Sequence, residues 1–265
     1  MSPRSEPERI PPDVNTVAKR ALILKHRLQK SLATPPPDQL ARLMHQWSDS
    51  DRGAFVEKMK HYYRTQEQRI RDAGLWDEMD ESERAFIQAG PIEIPQQAWI
   101  DANWVGESLA CLLWVLELFP EIPASDQELS IERKKHLARL PEAILTGGHK
   151  LRASDLIQKQ RDLAELWHWR ARTRCLQEEG RMPTVLPGGM TVEQMLRRTS
   201  EKAAEEGVIP PPIEGDFPAF GKPYRNLTPT EFSIATSIAM ERHRAFNWLC
   251  GYAPGNRWTE TPTNT

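Results

Sequence analysis

Apolar residues recur every three or four positions along most of this chain, the spacing that lines one face of an α-helix. The pattern predicts a helix over Val14–Ala33, where Val17, Ala21, Leu24 and Leu28 align and Lys and Arg take the other side. Pro35, Pro36 and Pro37 end it, because proline lacks an amide hydrogen and clashes with the preceding turn. Asp38 is placed to cap a helix through 47, and a further helix is expected over 51–73, stopped by Gly74. Asp80 and Glu83 have capping-box spacing ahead of Ala85, Phe86 and Ile87. Pro95 opens the most hydrophobic stretch, expected to be helical to 119, where Pro120 and Pro123 terminate it. A charged helix over 127–140 follows. Gly147 and Gly148 break the chain, and 154–179 reads as another long helix. Segments 180–190 and 207–227 are rich in Pro and Gly and read as loops, with a short charged helix around Met195 between them and room for a short extended piece in the second. Thr228, Pro229 and Glu231 then combine an N-cap, a proline at the first helical position and a capping-box glutamate, so the last helix starts there and runs to 250.

With no repeat and no alternating strand, the expected fold is all-α. It is a single multi-helix globular domain with a central buried hydrophobic helix pair and Pro/Gly-rich loops. Residues 1–12 are polar and Pro-rich and are expected to form a disordered tail. The helical domain is expected over 13–258, with a second tail over 259–265.

At 100° per residue, Ile234, Ile238, Ala245, Trp248 and Leu249 share one face of the last helix, with Glu241 in its middle and Arg244 beside it. Phe232, Ala239, Phe246 and Cys250 cover most of the opposite side, so this helix reads as a central one. His243 and Asn247 share a third, more polar stripe. In the helix after Pro95, Glu107 shares a face with Ile100, Cys111, Trp114 and Leu118. A shielded carboxylate is costly unless paired or protonated. Leu156, Leu163, Trp167 and Ala171 form the apolar stripe of the 154–179 helix, and Arg170 and Arg174 sit on its edge. Glu107 and Glu241 are therefore expected to pair with arginines drawn from Arg170, Arg174, Arg242 and Arg244.

Composition narrows the class. A hydrophobic content of 39% and a charged content of 27% over 265 residues suit a soluble globular chain rather than a disordered one. A formal net charge of −2 argues against a general polyanion binder. The longest apolar run, 109–116, is too short to span a bilayer, and the N-terminus has no apolar signal-peptide core. Cys111, Cys175 and Cys250 lack CxxC spacing and read as reduced thiols of a cytoplasmic protein.

Several stretches, taken together, resemble the domain of unknown function 4272 family, found mostly in bacterial proteins. The run VAKRAL over 17–22 resembles its N-terminal helix, and WVGESLACLLWVL over 104–116 its central pattern. Leu151 with Arg152, and Asp162 and Leu163 through Trp169, resemble its third block. ERHRAFNWL over 241–249 is similar to its closing segment, with Phe246 in place of Leu. Arg170 stands where the family usually has Ala, and Thr259 where an Asp usually follows the final Trp. The resemblance singles out Trp169, which the helical wheel places away from the apolar face. It implies a helical intracellular domain and no established activity.

The favoured reading is a helical binding or interaction module whose buried polar cluster holds Glu107, Arg170, Arg174, Glu241, Arg242, His243, Arg244 and Asn247. Its partner would be an unknown protein or a small anionic ligand, with no cofactor, metal or membrane. A rival reading is a hydrolase-like enzyme using Glu241 and His243 in a pocket between helices. It predicts an open cleft, whereas a structural ion-pair network predicts sealed carboxylates. A third reading is nucleic-acid binding through 150–174, which has seven Lys/Arg against three Asp/Glu. It requires Arg170, Arg172 and Arg174 on one exposed face, and the placing of Trp167 in the core weighs against it. Glu165 and His168 have the Glu-x-x-His spacing of di-iron bundles, but those sites need two such pairs and two further Glu.

Overall fold

The computed structural model describes residues 9–145, 147–186 and 188–264. Helices α1 (Val14–Ala33), α2 (Pro37–Gln46), α3 (Asp49–Asp72), α4 (Glu81–Gln88) and α5 (Gln96–Val115) form the first half. Then come α6 (Ile131–Arg139), α7 (Glu142–Leu145), α8 (Ser154–Glu178), α9 (Val192–Glu205) and α10 (Pro229–Leu249). The architecture is all-α, apart from the antiparallel two-residue strands β1 (Pro218–Ala219) and β2 (Lys222–Pro223) in the second Pro/Gly-rich loop. The expected central pair is α5 and α10. Helix α5 packs α1 on one side and α10 on the other, and α10 packs α8.

Local signals account for most element starts. Thr228 and Glu231 form the capping box of α10, with Pro229 at its first turn. Asp80 and Glu83 do the same for α4, and Thr191 and Gln194 for α9. Asp38 does not cap α2. Pro36 holds the N-cap and Pro37 the first helical position, so Asp38 lies in the first turn, where a carboxylate meets the positive helix end. Helix α5 stops at Val115 rather than 119. Glu117 turns left-handed at φ 61°, and the Leu118 amide reaches back to the Leu113 carbonyl at 2.8 Å, which closes the helix before the prolines. Helix α6 starts at Ile131, because Ser130 accepts the Arg133 amide and fixes the boundary inside 127–140.

Two apolar clusters share α8 and α10. Leu24, Leu28, Leu109, Leu112 and Trp248 lie in the larger one, which joins α1, α5 and the C-terminal half of α10. Trp167, Phe217, Tyr224, Ala235 and Ala239 lie in the smaller one, between the C-terminal half of α8, the 209–227 loop and the start of α10. Leu156, expected in the core, is 40% exposed. The buried face of α8 runs instead through Ile157, Ala164, Trp167 and Ala171. Trp169 packs its ring 6.2 Å from Phe217, so this side of α8 is partly covered by the 209–227 loop and Trp169 is left half-buried.

The tail expected over 1–12 lies outside the described residues as far as residue 8. From residue 9 the chain runs against the C-terminal turn. Arg9 donates to the Tyr252 hydroxyl at 2.6 Å and lies over its ring. A Cβ at Gly251, whose φ is +77°, would come within 2.7 Å of the Ile10 backbone, so glycine is required there for both reasons. At the other end, the Pro262 carbonyl accepts from Asn247. Among the described residues, no helix is long and apolar enough to cross a membrane.

Candidate functional site

Glu107, on α5, is fully buried. Its Oε1 accepts the Leu129 amide at 2.7 Å, and its Oε2 accepts Arg242 Nε at 3.1 Å and Nη2 at 2.9 Å. The remaining donors of Arg242 go to backbone. Nη1 reaches the Pro123 and Ala124 carbonyls at 2.7 and 3.1 Å, and Nη2 the Gln127 carbonyl at 3.0 Å. A guanidinium whose three nitrogens all find acceptors can be buried at tolerable cost. This pair ties α5, α10 and the 117–130 loop together.

Glu241 faces the same helix one residue further along. Ser108 Oγ donates to its Oε2 at 2.6 Å, and Arg244 Nη1 to its Oε1 at 2.8 Å. His243 turns away from both carboxylates. Arg161 Nε donates to Asn247 Oδ1 at 2.9 Å, and Asn247 Nδ2 donates to the Pro262 carbonyl at 2.8 Å. These contacts fix the amide, so the second Nδ2 hydrogen points at His243 Nε2, 2.9 Å away. His243 must then carry its hydrogen on Nδ1, which lies 2.9 Å from His168 Nδ1. Burial, then the neighbouring His168 and Arg161, pushes the His243 pKa down to about 3. Burial, then Arg172 and Arg244, pushes His168 down to about 4. Both rings are neutral at pH 7.

The structure does not bring Arg170 or Arg174 to this cluster. Arg170, fully buried, forms a bidentate pair with Asp216, at 2.7 Å for both contacts, and its Cζ lies 4.6 Å from the centre of the Tyr224 ring. Burial alone would raise the Asp216 carboxyl. The Arg170 hydrogen bond and charge, with the Arg225 and Phe217 amides, hold it below the usual range. Arg174 donates to the Tyr224 and Leu227 carbonyls and pairs with Glu178. Arg172 is exposed while Arg170 is not, so the three arginines do not form one basic face. Glu165 binds Arg161, not a metal-ligand set with His168. Among the described residues, no three His, Cys, Asp or Glu are grouped as metal ligands.

Arg242 borders only a small pocket of about 160 Å³, and Glu107, Glu241 and His243 line none of the described pockets. Between α8 and α9 runs an open groove of about 880 Å³. Leu166, Trp169, Ala203 and Val208 supply its apolar surface. Asp162, Glu165, Glu201, Glu205 and Glu206 supply carboxylates, against Arg198 and Lys202. Lys202 lies 3.7 Å from Glu206, and Arg161 clamps Asp162 and Glu165.

The sequence profile of the domain of unknown function DUF4272 matches residues 4–195, well over half of the chain. The chain belongs to the DUF4272 family. No curated protein and no solved structure matches it. The DUF4272 match takes in α1 to α8 and the start of α9, and it stops before α10. Glu241, Arg242, His243, Arg244 and Asn247 are thus placed by geometry alone.

Some site residues escape a reading of this DUF4272 chain by helical periodicity. Asp216, 1% exposed, is one, because it sits in an irregular loop. Ser108 is another, since a small hydroxyl beside Glu107 carries no pattern of its own. Glu83, 1% exposed, accepts Arg20 and Arg27 at 2.9 and 3.2 Å while closing the α4 capping box. Its signal was present in the box spacing but pointed only to a helix start.

Proposed function

We propose that the chain is a helical interaction module in which the buried Glu/Arg/His set fixes the core and binding is left to the α8–α9 groove. The observation that carries this reading is the contrast in access. Glu107 and His243 are 0% exposed and Glu241 is 3% exposed, so no substrate reaches them. The groove instead offers an apolar surface, including Val208 at 38% exposure, at a size typical of ligand sites. An acid/base pair of Glu241 and His243 is not favoured, because the two side chains bond to different partners. The free thiols of Cys111, Cys175 and Cys250 support a reducing, cytoplasmic setting.

The test is a photo-crosslinking amino acid placed at Val208 and, separately, at the more exposed Ile131 on α6, in cells expressing the chain. Discrete adducts from position 208, lost when Trp169 is changed to Ala, are expected. No adduct, or the same adducts from both positions, would refute the groove.

A further inference from the structure

We infer that the α8–α9 groove accepts a basic amphipathic helical segment of a partner protein, an inference that rests on the groove's being the binding surface. The α8 residues in the groove, Asp162, Glu165, Leu166 and Trp169, span two turns, and the α9 residues run from Arg198 to Glu205 over a similar length. Walls of about 10 Å match an apolar stripe with anchors at i, i+3 or i+4, and i+7 of an entering helix. Leu166 and Trp169 on one side and Ala203 and Val208 on the other offer the matching apolar surface. Trp169 is held by its contact with Phe217, so it meets a ligand already ordered.

Counting Arg161, the groove sets five carboxylates against three cations. Arg161 is committed to Asp162 and Glu165, and Lys202 to Glu206, which leaves Arg198, alone among the groove's described residues, against Glu201 and Glu205. Glu201 and Glu205, one turn apart on α9 and both exposed, repel one another. A lysine or arginine entering beside the apolar stripe relieves that repulsion, and an anionic segment adds to it. The groove therefore selects against the small anionic ligand expected from the buried arginines, whose charges are already spent on internal carboxylates and carbonyls.

The experiment uses two fluorescent peptides with the same leucine spacing, one carrying Lys and the other Glu at the flanking positions. Anisotropy titrations against the full chain are expected to favour the Lys peptide by at least about tenfold, less so at high salt. The double variant E201K/E205K should reverse that preference, an outcome that loss of fold cannot imitate. Equal binding of both peptides, or a preference that survives E201K/E205K unchanged, overturns the inference. If neither peptide binds while position 208 still yields adducts in cells, the basic segment is refuted and the groove stands. If both fail, both readings fall.

Discussion

His243 Nδ1 lies 2.9 Å from His168 Nδ1, so α10 and α8 are joined by two imidazoles of which only one can donate. Asn247 decides which, by occupying His243 Nε2. Protonating His168 would place a second hydrogen in the same 2.9 Å gap. With folded pKa values of about 4 for His168 and about 3 for His243, both below the ordinary 6.5, the unfolded chain binds more protons between pH 4 and 6.5. Stability should therefore fall as pH drops through that window, by up to about 1.4 kcal/mol per unit for each ring. Urea unfolding from pH 4.5 to 7 checks this. His168→Gln should flatten the acid limb relative to the wild type, and an unchanged slope would show that the pair is not the cause.

Glu107→Gln keeps an acceptor for the Leu129 amide but leaves Arg242 buried without its counter-charge. The expected loss is about 3–5 kcal/mol, the cost of stranding one member of a buried pair. Replacing both, Glu107→Gln with Arg242→Met, should cost less than the sum of the singles, because no charge is then left unpaired. Thermal denaturation of the four-member cycle tests this. Additive losses would mean that Arg242 is anchored by the 123–127 carbonyls alone.

What the sequence makes legible here is local. Asp80 with Glu83 and Thr228 with Glu231 mark their helix starts because a cap involves residues three apart. Burial of Glu107 and Glu241 follows from their positions on all-round apolar helices. The choice of partner does not. Arg170, Arg174, Arg242 and Arg244 look alike on a helical wheel. Which one reaches Glu107 depends on where α10 crosses α5 and on three loop carbonyls that no wheel contains. Arg170 meets Asp216 across 46 residues through a loop without periodicity. The groove is harder still to read, because it exists only once α9 is laid beside α8.

Asp216→Asn should destabilise the smaller cluster first. An amide there presents hydrogens to Arg170, which keeps its charge but loses its bidentate acceptor. Hydrogen exchange should speed up over 209–227 and the C-terminal half of α8, while α1 and α5 keep their protection. Uniform acceleration along the whole chain would show that Asp216 supports the fold globally.

Lys30 is an amine enclosed by protein. It is fully buried on α1, donates to the Ile87 and Ala89 carbonyls at 2.6 and 2.7 Å, and lies 3.9 Å from the centre of the Tyr63 ring. Burial pulls its pKa down to about 7, against the smaller opposing pull of Glu67 and Glu93. In the unfolded chain the amine stays charged to its ordinary value of 10.5. Between pH 7 and 10 the unfolded state thus binds more protons, and the fold should gain stability as pH rises, by at most about 1.4 kcal/mol per unit. Lys25, also pulled down by burial, acts in the same direction. Cys111 and Cys250, whose thiols burial pushes up from 9.0, oppose it from about pH 9, and Tyr63, pushed up by burial to about 12, opposes it above pH 10. Denaturant unfolding from pH 7 to 8.5, below the range in which the buried thiols titrate in the unfolded chain, should show the rise, and Lys30→Met should remove most of it while retaining the aliphatic packing. The decisive comparison is the slope rather than the absolute stability, because the two carbonyls lose their donor in the variant. A variant whose slope equals that of the wild type would place the titration elsewhere.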